Sequence, residues 1–201
     1  MSWIEEIPYE EAKGALKKLY DRVKGPNNNI DNVLSVHSLR PHSMLGHMTL
    51  YKNVLHNSNN SLPKWYLEAL GVYTSYLNRC DYCVAHHYIG MKRLIDDDQR
   101  SLEIMQAVKK DQMDIAFSAK DLAGIQYARM LTLAHYDIKE DHIKALRQAG
   151  FSDGEILEIN QVVSYFNYVN RMVVGLGVNT EGDIIGLSPN NSDDPNSWGH
   201  S

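Results

Sequence analysis

Asn78–His87 reads N-R-C-D-Y-C-V-A-H-H. It holds the only two cysteines of a 201-residue chain, Cys80 and Cys83, followed by two of its nine histidines, His86 and His87. A thiolate, not a thiol, attacks peroxides and disulfides. A helix N-terminus favours that thiolate by stabilising negative charge. An imidazole one helical turn further on can accept the thiol proton. A second cysteine, with two residues between, can resolve an oxidised first one as a disulfide, before over-oxidation occurs. The spacing therefore points to dithiol redox chemistry.

Two helices must position these groups. Ser61-Leu62-Pro63 reads as a helix start with Ser61 as its cap, running to about Leu77. A second helix leaves near Cys80 and runs to about Ile95. So short a connection favours an antiparallel helical hairpin. With the turn centred near residues 77–78, Glu68 falls opposite His87, each roughly 15 Å from the turn at about 1.5 Å per residue. His87 follows Cys83 by four and shares its helix face. The expected chain is Glu68, His87, Cys83, Cys80. Which cysteine attacks is open at this level. The helix start favours Cys80 and the proton relay favours Cys83; the relay is followed here.

The spacing Glu68–x11–Cys80–x2–Cys83–x3–His87 resembles the alkylhydroperoxidase D-like group of the carboxymuconolactone decarboxylase superfamily. The motif N-R-C-D-Y-C-V-A-H-H and the later F-N-Y-V-N-R-M-V-V-G-L-G-V look like its peroxidase-related branch. The resemblance covers residues 61–95 well and 152–178 more loosely. It implies an all-α, single-domain helical bundle that assembles into trimers or hexamers, and a thiol-dependent peroxidase without a cofactor. Cys83 would attack the hydroperoxide, Cys80 would resolve, His87 would relay the proton and Glu68 would act as the distant base. A thiol or lipoyl-protein reductant would close the cycle. The alkylhydroperoxidase D enzymes carry a histidine between the cysteines where this chain has Tyr82. The decarboxylase members lack the cysteine pair, so lactone decarboxylation fits poorly. Two alternatives keep the same residues: a disulfide reductase that recycles another peroxidase, and a non-enzymatic helical oligomer that senses redox state or binds a ligand.

The rest of the chain is helical in pattern. Expected helices cover Glu10–Val23, a short stretch in Asp31–Ser38, Pro41 to about His56, Asp97–Lys109, Ser118–Ala134 and Lys139–Ala149. The longest opens at Ser152, with Ile156, Ile159, Val162, Val163, Phe166, Val169 and Val173 on one apolar stripe. No stretch alternates as a strand would. Residues 1–178 form the expected helical domain. Residues 179–201 form a polar tail, expected to be loosely ordered or packed on a neighbouring subunit.

The other residues of interest read as structural. Zinc at Cys80, Cys83 and a histidine lacks the distant second pair of ligands that structural sites use. His37, His42 and His47 are spaced by five, which advances about 500° on a helix and scatters them. His86 points about 100° away from His87 and is left outside the site. Tyr82 reads as a pocket wall, and Asp96-Asp97-Asp98 as a helix start. Tyr165, Asn167, Tyr168, Asn170 and Arg171 read either as the lining of a pocket or subunit interface or as half-buried packing with a salt bridge from Arg171, and are left outside the catalytic set. The net charge of −5 argues against nucleic-acid or anionic-membrane partners. The acidic, amphipathic start is unlike a signal peptide, so the expected compartment is the cytoplasm.

Overall fold

The stretch Lys64–Leu77, K-W-Y-L-E-A-L-G-V-Y-T-S-Y-L, is apolar on every side, as a helix enclosed by other helices must be. The computed structural model, which describes residues 2–189 and 198–200, places this helix (α4) at the centre. Around it run α1 (Gly14–Val23), α2 (Asn32–Ser35), α3 (Pro41–Leu55), α5 (Asp81–Ile95), α6 (Asp98–Lys110), α7 (Ala119–Leu133), α8 (Glu140–Gln148) and α9 (Asp153–Gly175). Helix α4 packs on α3, α5, α6, α7 and α9. Ten consecutive residues, Tyr66 to Ser75, are buried, and Glu68 is the only charged one among them. Among the described residues there is no strand, only an isolated bridge between Pro189 and His200.

Several helix ends follow from local sequence. Ser152 and Glu155 cap α9 reciprocally, Ser152 Oγ accepting from the Glu155 amide and Glu155 Oε2 from the Ser152 amide. Asp97 caps α6 by accepting from the Arg100 amide, as the acidic run predicts. Two ends differ from expectation. Helix α1 begins at Gly14, not Glu10, because Lys13 is extended and Gly14 is left-handed at φ +56°. Ser61 does not cap α4. Glu158 reaches across from α9 and accepts from the Ser61 and Leu62 amides at 2.8 and 2.9 Å.

The apolar stripe of α9 is buried throughout, from Ile156 to Val173. Its Phe166 ring lies against Gly71 of α4, where any Cβ would collide with the ring. That close approach sets the α4–α9 spacing. The tail is not loosely ordered where it is described. Asp183 accepts from the Asn32 amide at 3.0 Å, Arg93 donates to the Gly186 carbonyl, and Trp198 and His200 are buried against the same chain. The rest of that tail, residues 190–197 and 201, lies outside the described residues. No described helix is long and apolar enough to cross a membrane.

Candidate active site

The cysteines sit where one helix ends and the next begins. Helix α4 closes with the Cys80 amide donating to the Ser75 carbonyl and the Arg79 amide to that of Tyr76, with Arg79 left-handed at φ +56°. This is a Schellman end, with Cys80 in its last position. Cys80 is also the N-cap of α5, its carbonyl accepting from the Val84 amide. Three residues thus reverse the chain. Cys83 lies in the first turn of α5, where the helix dipole favours a thiolate.

Both thiols are free and buried. The Cys83 side chain, as a hydrogen-bond donor, holds the Cys80 thiol below its usual range despite burial, and Asn170 adds to this. Cys83 is pushed well up by burial and by the neighbouring Cys80. Negative charge on the pair is therefore favoured on Cys80 over Cys83. Asn170, buried in the α9 stripe, is fixed by donating to Ser75 Oγ at 3.0 Å and accepting from Asn78 Nδ2 at 3.0 Å. Its polarity within an apolar stripe was the signal for this role. Arg171 makes no salt bridge among the described residues; it donates to the Asn167 carbonyl and Oδ1.

The structure brings Glu68 and His87 together. Glu68 Oε2 lies 2.7 Å from His87 Nδ1. With Nδ1–H donating to the carboxylate, Nε2 remains as the base. Phe166 packs edge-on against the His87 ring at 4.6 Å and Tyr51 at 6.0 Å, so two aromatic rings hold the imidazole. Gly90 leaves room for the carboxylate: a Cβ there would sit 3.2 Å from Glu68 Oε1. On its far side Glu68 Oε1 lies 3.9 Å from His56 Nε2, too long for a hydrogen bond. Burial pushes His56 down to about 4, leaving it uncharged at neutral pH.

Cys83, His87 and Glu68 line one cavity of about 40 Å³, together with Tyr51, Tyr165 and His47. Cys80 is not among its lining residues. His86, left out of the site by the angular argument, lines the same cavity. It stacks on Tyr82 at 4.5 Å, with its Nε2 3.3 Å from Asp183. Cys83 precedes His86 by three and His87 by four, and both spacings keep a helical neighbour on the Cys83 side. The Tyr82 hydroxyl donates to Asp183 at 2.7 Å and accepts from the Val33 amide. It thereby ties the residue between the cysteines to the tail. Burial raises Asp31, beside them, to about 7. His37 and His47 do approach, ring centres 5.2 Å apart, while His42 is exposed. Among the described residues no cluster of His, Cys, Asp and Glu could hold a metal ion.

No family model and no curated protein matches this chain. Solved structures do. An uncharacterized peroxidase-related protein from Ralstonia eutropha JMP134, an alkylhydroperoxidase AhpD core, superposes with a TM-score of 0.74. It is 19% identical, over 89% of this chain and 91% of that one. The chain has the alkylhydroperoxidase D-like fold. An uncharacterized peroxidase-related protein from Silicibacter sp. TM1040 shares the fold at 24% identity and a TM-score of 0.67, over 77% of this chain and 80% of that one. The debrominase Bmp8 shares it at 14% identity and a TM-score of 0.67, over 87% and 89%. The alkylhydroperoxidase D-like fold thus carries more than one named activity, and the side chains of the site must decide between them.

Proposed function

We propose that this protein is a thiol-dependent peroxidase that reduces small hydroperoxides through a Cys80–Cys83 dithiol/disulfide cycle. The observation that carries the reading is the Glu68–His87 hydrogen bond, which aims a base into the cavity that Cys83 lines. Cys83 is the attacking thiol because it, and not Cys80, faces that cavity. Its proton passes to His87 Nε2, with Glu68 stabilising the resulting imidazolium. The Cys83 thiolate attacks the terminal peroxide oxygen. The O–O bond breaks, Cys83 becomes a sulfenic acid, and the departing alkoxide takes a proton to leave as the alcohol. Cys80 then attacks the Cys83 sulfur, releasing water and forming the disulfide. Two electrons and two protons from a dithiol reductant, such as a lipoyl protein or a thioredoxin-like partner, restore the pair. Like its relatives by resemblance, the enzyme would work as a trimer or hexamer.

Cavity size supports small substrates. About 40 Å³ holds only a few water-sized groups, at roughly 10–15 Å³ each. The debrominase neighbour has been solved, as a cysteine-to-alanine variant, in complex with 2,3,4-tribromopyrrole. A ring bearing three bromines needs far more room than this cavity has. The test is to titrate reduced protein with hydrogen peroxide, tert-butyl hydroperoxide and cumene hydroperoxide, counting free thiols and alcohol formed. Two thiols lost per hydroperoxide consumed, with cumene hydroperoxide the slowest, is the expected result. Thiols that survive all three would refute the reading.

A further inference from the structure

The relay leaves several groups of the cavity without a task, among them three histidines, His47, His86 and His200, each with a buried ring nitrogen that lacks a hydrogen-bond partner. His47 enters from α3 and lines the same cavity as Cys83 and His87. It is only 4% exposed, and its Nδ1 is buried with no hydrogen-bond partner. A buried ring nitrogen left unsatisfied is costly, and native structures rarely keep one without a reason. Its neighbours hold the ring in place without bonding that atom. Tyr165 lies 5.8 Å away, Tyr51 6.3 Å and His37 5.2 Å between ring centres. His37 is itself pinned by Ser43 Oγ at 2.9 Å.

We propose that His47 is a substrate-binding residue whose Nδ1 hydrogen-bonds the hydroperoxide group in the cavity that Cys83 lines. A hydroperoxide offers both an O–H donor and acceptor oxygens, so it satisfies the nitrogen in either tautomer. Burial and the nearby His37, His200 and His87 push His47 down to about 3, so the ring is uncharged at neutral pH. An uncharged imidazole suits a neutral ligand. The remaining lining supports that choice: it includes the acids Asp31 and Glu68, and none of the described lining residues is Lys or Arg. The Arg93 guanidinium is turned to the Gly186 carbonyl and Ser188 Oγ. An anionic hydroperoxide would lose its hydration without gaining a cationic partner.

This inference rests on the peroxidase reading, and the experiment separates the two. The second-order rate constant for thiol oxidation is measured with hydrogen peroxide and with diamide, an oxidant of dithiols that contains no peroxide. Wild type, His47→Phe and His47→Asn are compared. Loss of one productive hydrogen bond predicts about a tenfold fall with hydrogen peroxide in His47→Phe. The diamide rate should not change, and His47→Asn, which restores a polar atom near Nδ1, should recover most of the loss. An unchanged peroxide rate in His47→Phe would overturn the inference while leaving the peroxidase reading intact. So would an equal fall with both oxidants, or the absence of recovery in His47→Asn. A wild type that diamide oxidises and hydrogen peroxide does not would overturn both.

Discussion

Glu68 and His87, nineteen residues apart, meet at 2.7 Å inside the helical core, where Glu68 is 2% exposed. A carboxylate so deeply buried is tolerated because His87 satisfies one of its oxygens. The contact also fixes the ring so that its other nitrogen is available to a thiol. Structure and chemistry thus rest on the same hydrogen bond.

Gly90 tests how closely the carboxylate must be placed. Replacing an interior helical glycine by alanine ordinarily favours the helix by about 1 kcal/mol. Here the new Cβ would stand 3.2 Å from Glu68 Oε1, so the carboxylate must shift by a few tenths of an ångström. Gly90→Ala should keep its fold and melt within a few degrees of wild type, yet oxidise about tenfold more slowly with hydrogen peroxide. Calorimetry and stopped-flow oxidation on one sample check it, and an unchanged rate would show that the placement is not critical.

The order of the cysteines is accessible to trapping. Cys83 faces the cavity, while the resting negative charge is favoured on Cys80. After brief exposure to hydrogen peroxide, Cys80→Ser should carry a sulfenic acid at Cys83. Cys83→Ser should carry almost none at Cys80. Mass spectrometry of a sulfenate-trapped digest decides it, and the reverse pattern would make Cys80 the attacking thiol.

Stability should fall on mild acidification. His47, His56 and His200 are buried and uncharged, held at about 3, 4 and 4 in the folded protein. In the unfolded chain each titrates near 6.5. Below about pH 6.5 the unfolded state gains protons that the folded state refuses. Each histidine then removes up to about 1.4 kcal/mol per pH unit until its folded value is reached. Asp31, raised to about 7, acts oppositely: it favours the fold at low pH and loses that contribution as pH climbs from about 4 through 7. The histidines outnumber it, so urea midpoints should drop between pH 6.5 and 4. His47→Phe should flatten that slope. A midpoint constant over this range would contradict the burial of these rings in an uncharged state.

Much of this architecture can be read from local patterns. The short link between Leu77 and Asp81, the apolar stripe of α9 and the Asp97 cap all depend on residues close in sequence. The pairing of Glu68 with His87 needs only helix geometry and a turn position. What escapes such reading is long-range. Glu158 holds the Ser61 and Leu62 amides just ahead of α4 from 97 and 96 residues away, where the local pattern points to Ser61 as the cap of the helix. Asp183 reaches Tyr82 across 101 residues of chain. His37 and His47 meet because His37 precedes the start of α3 at Pro41, so a count of degrees along one helix does not apply to it. His86 joins the cavity because the cavity spans more of α5 than the single face that His87 defines.

The central claim is that Glu68, acting through His87, enables a thiol of the pair to attack hydroperoxide. The most direct measurement is the time course of free-thiol loss in fully reduced protein after one equivalent of hydrogen peroxide at neutral pH, with Glu68→Gln beside wild type. The account predicts loss of both thiols within seconds in wild type, and a rate lower by about a hundredfold or more in the variant. Equal rates in the two proteins would contradict it.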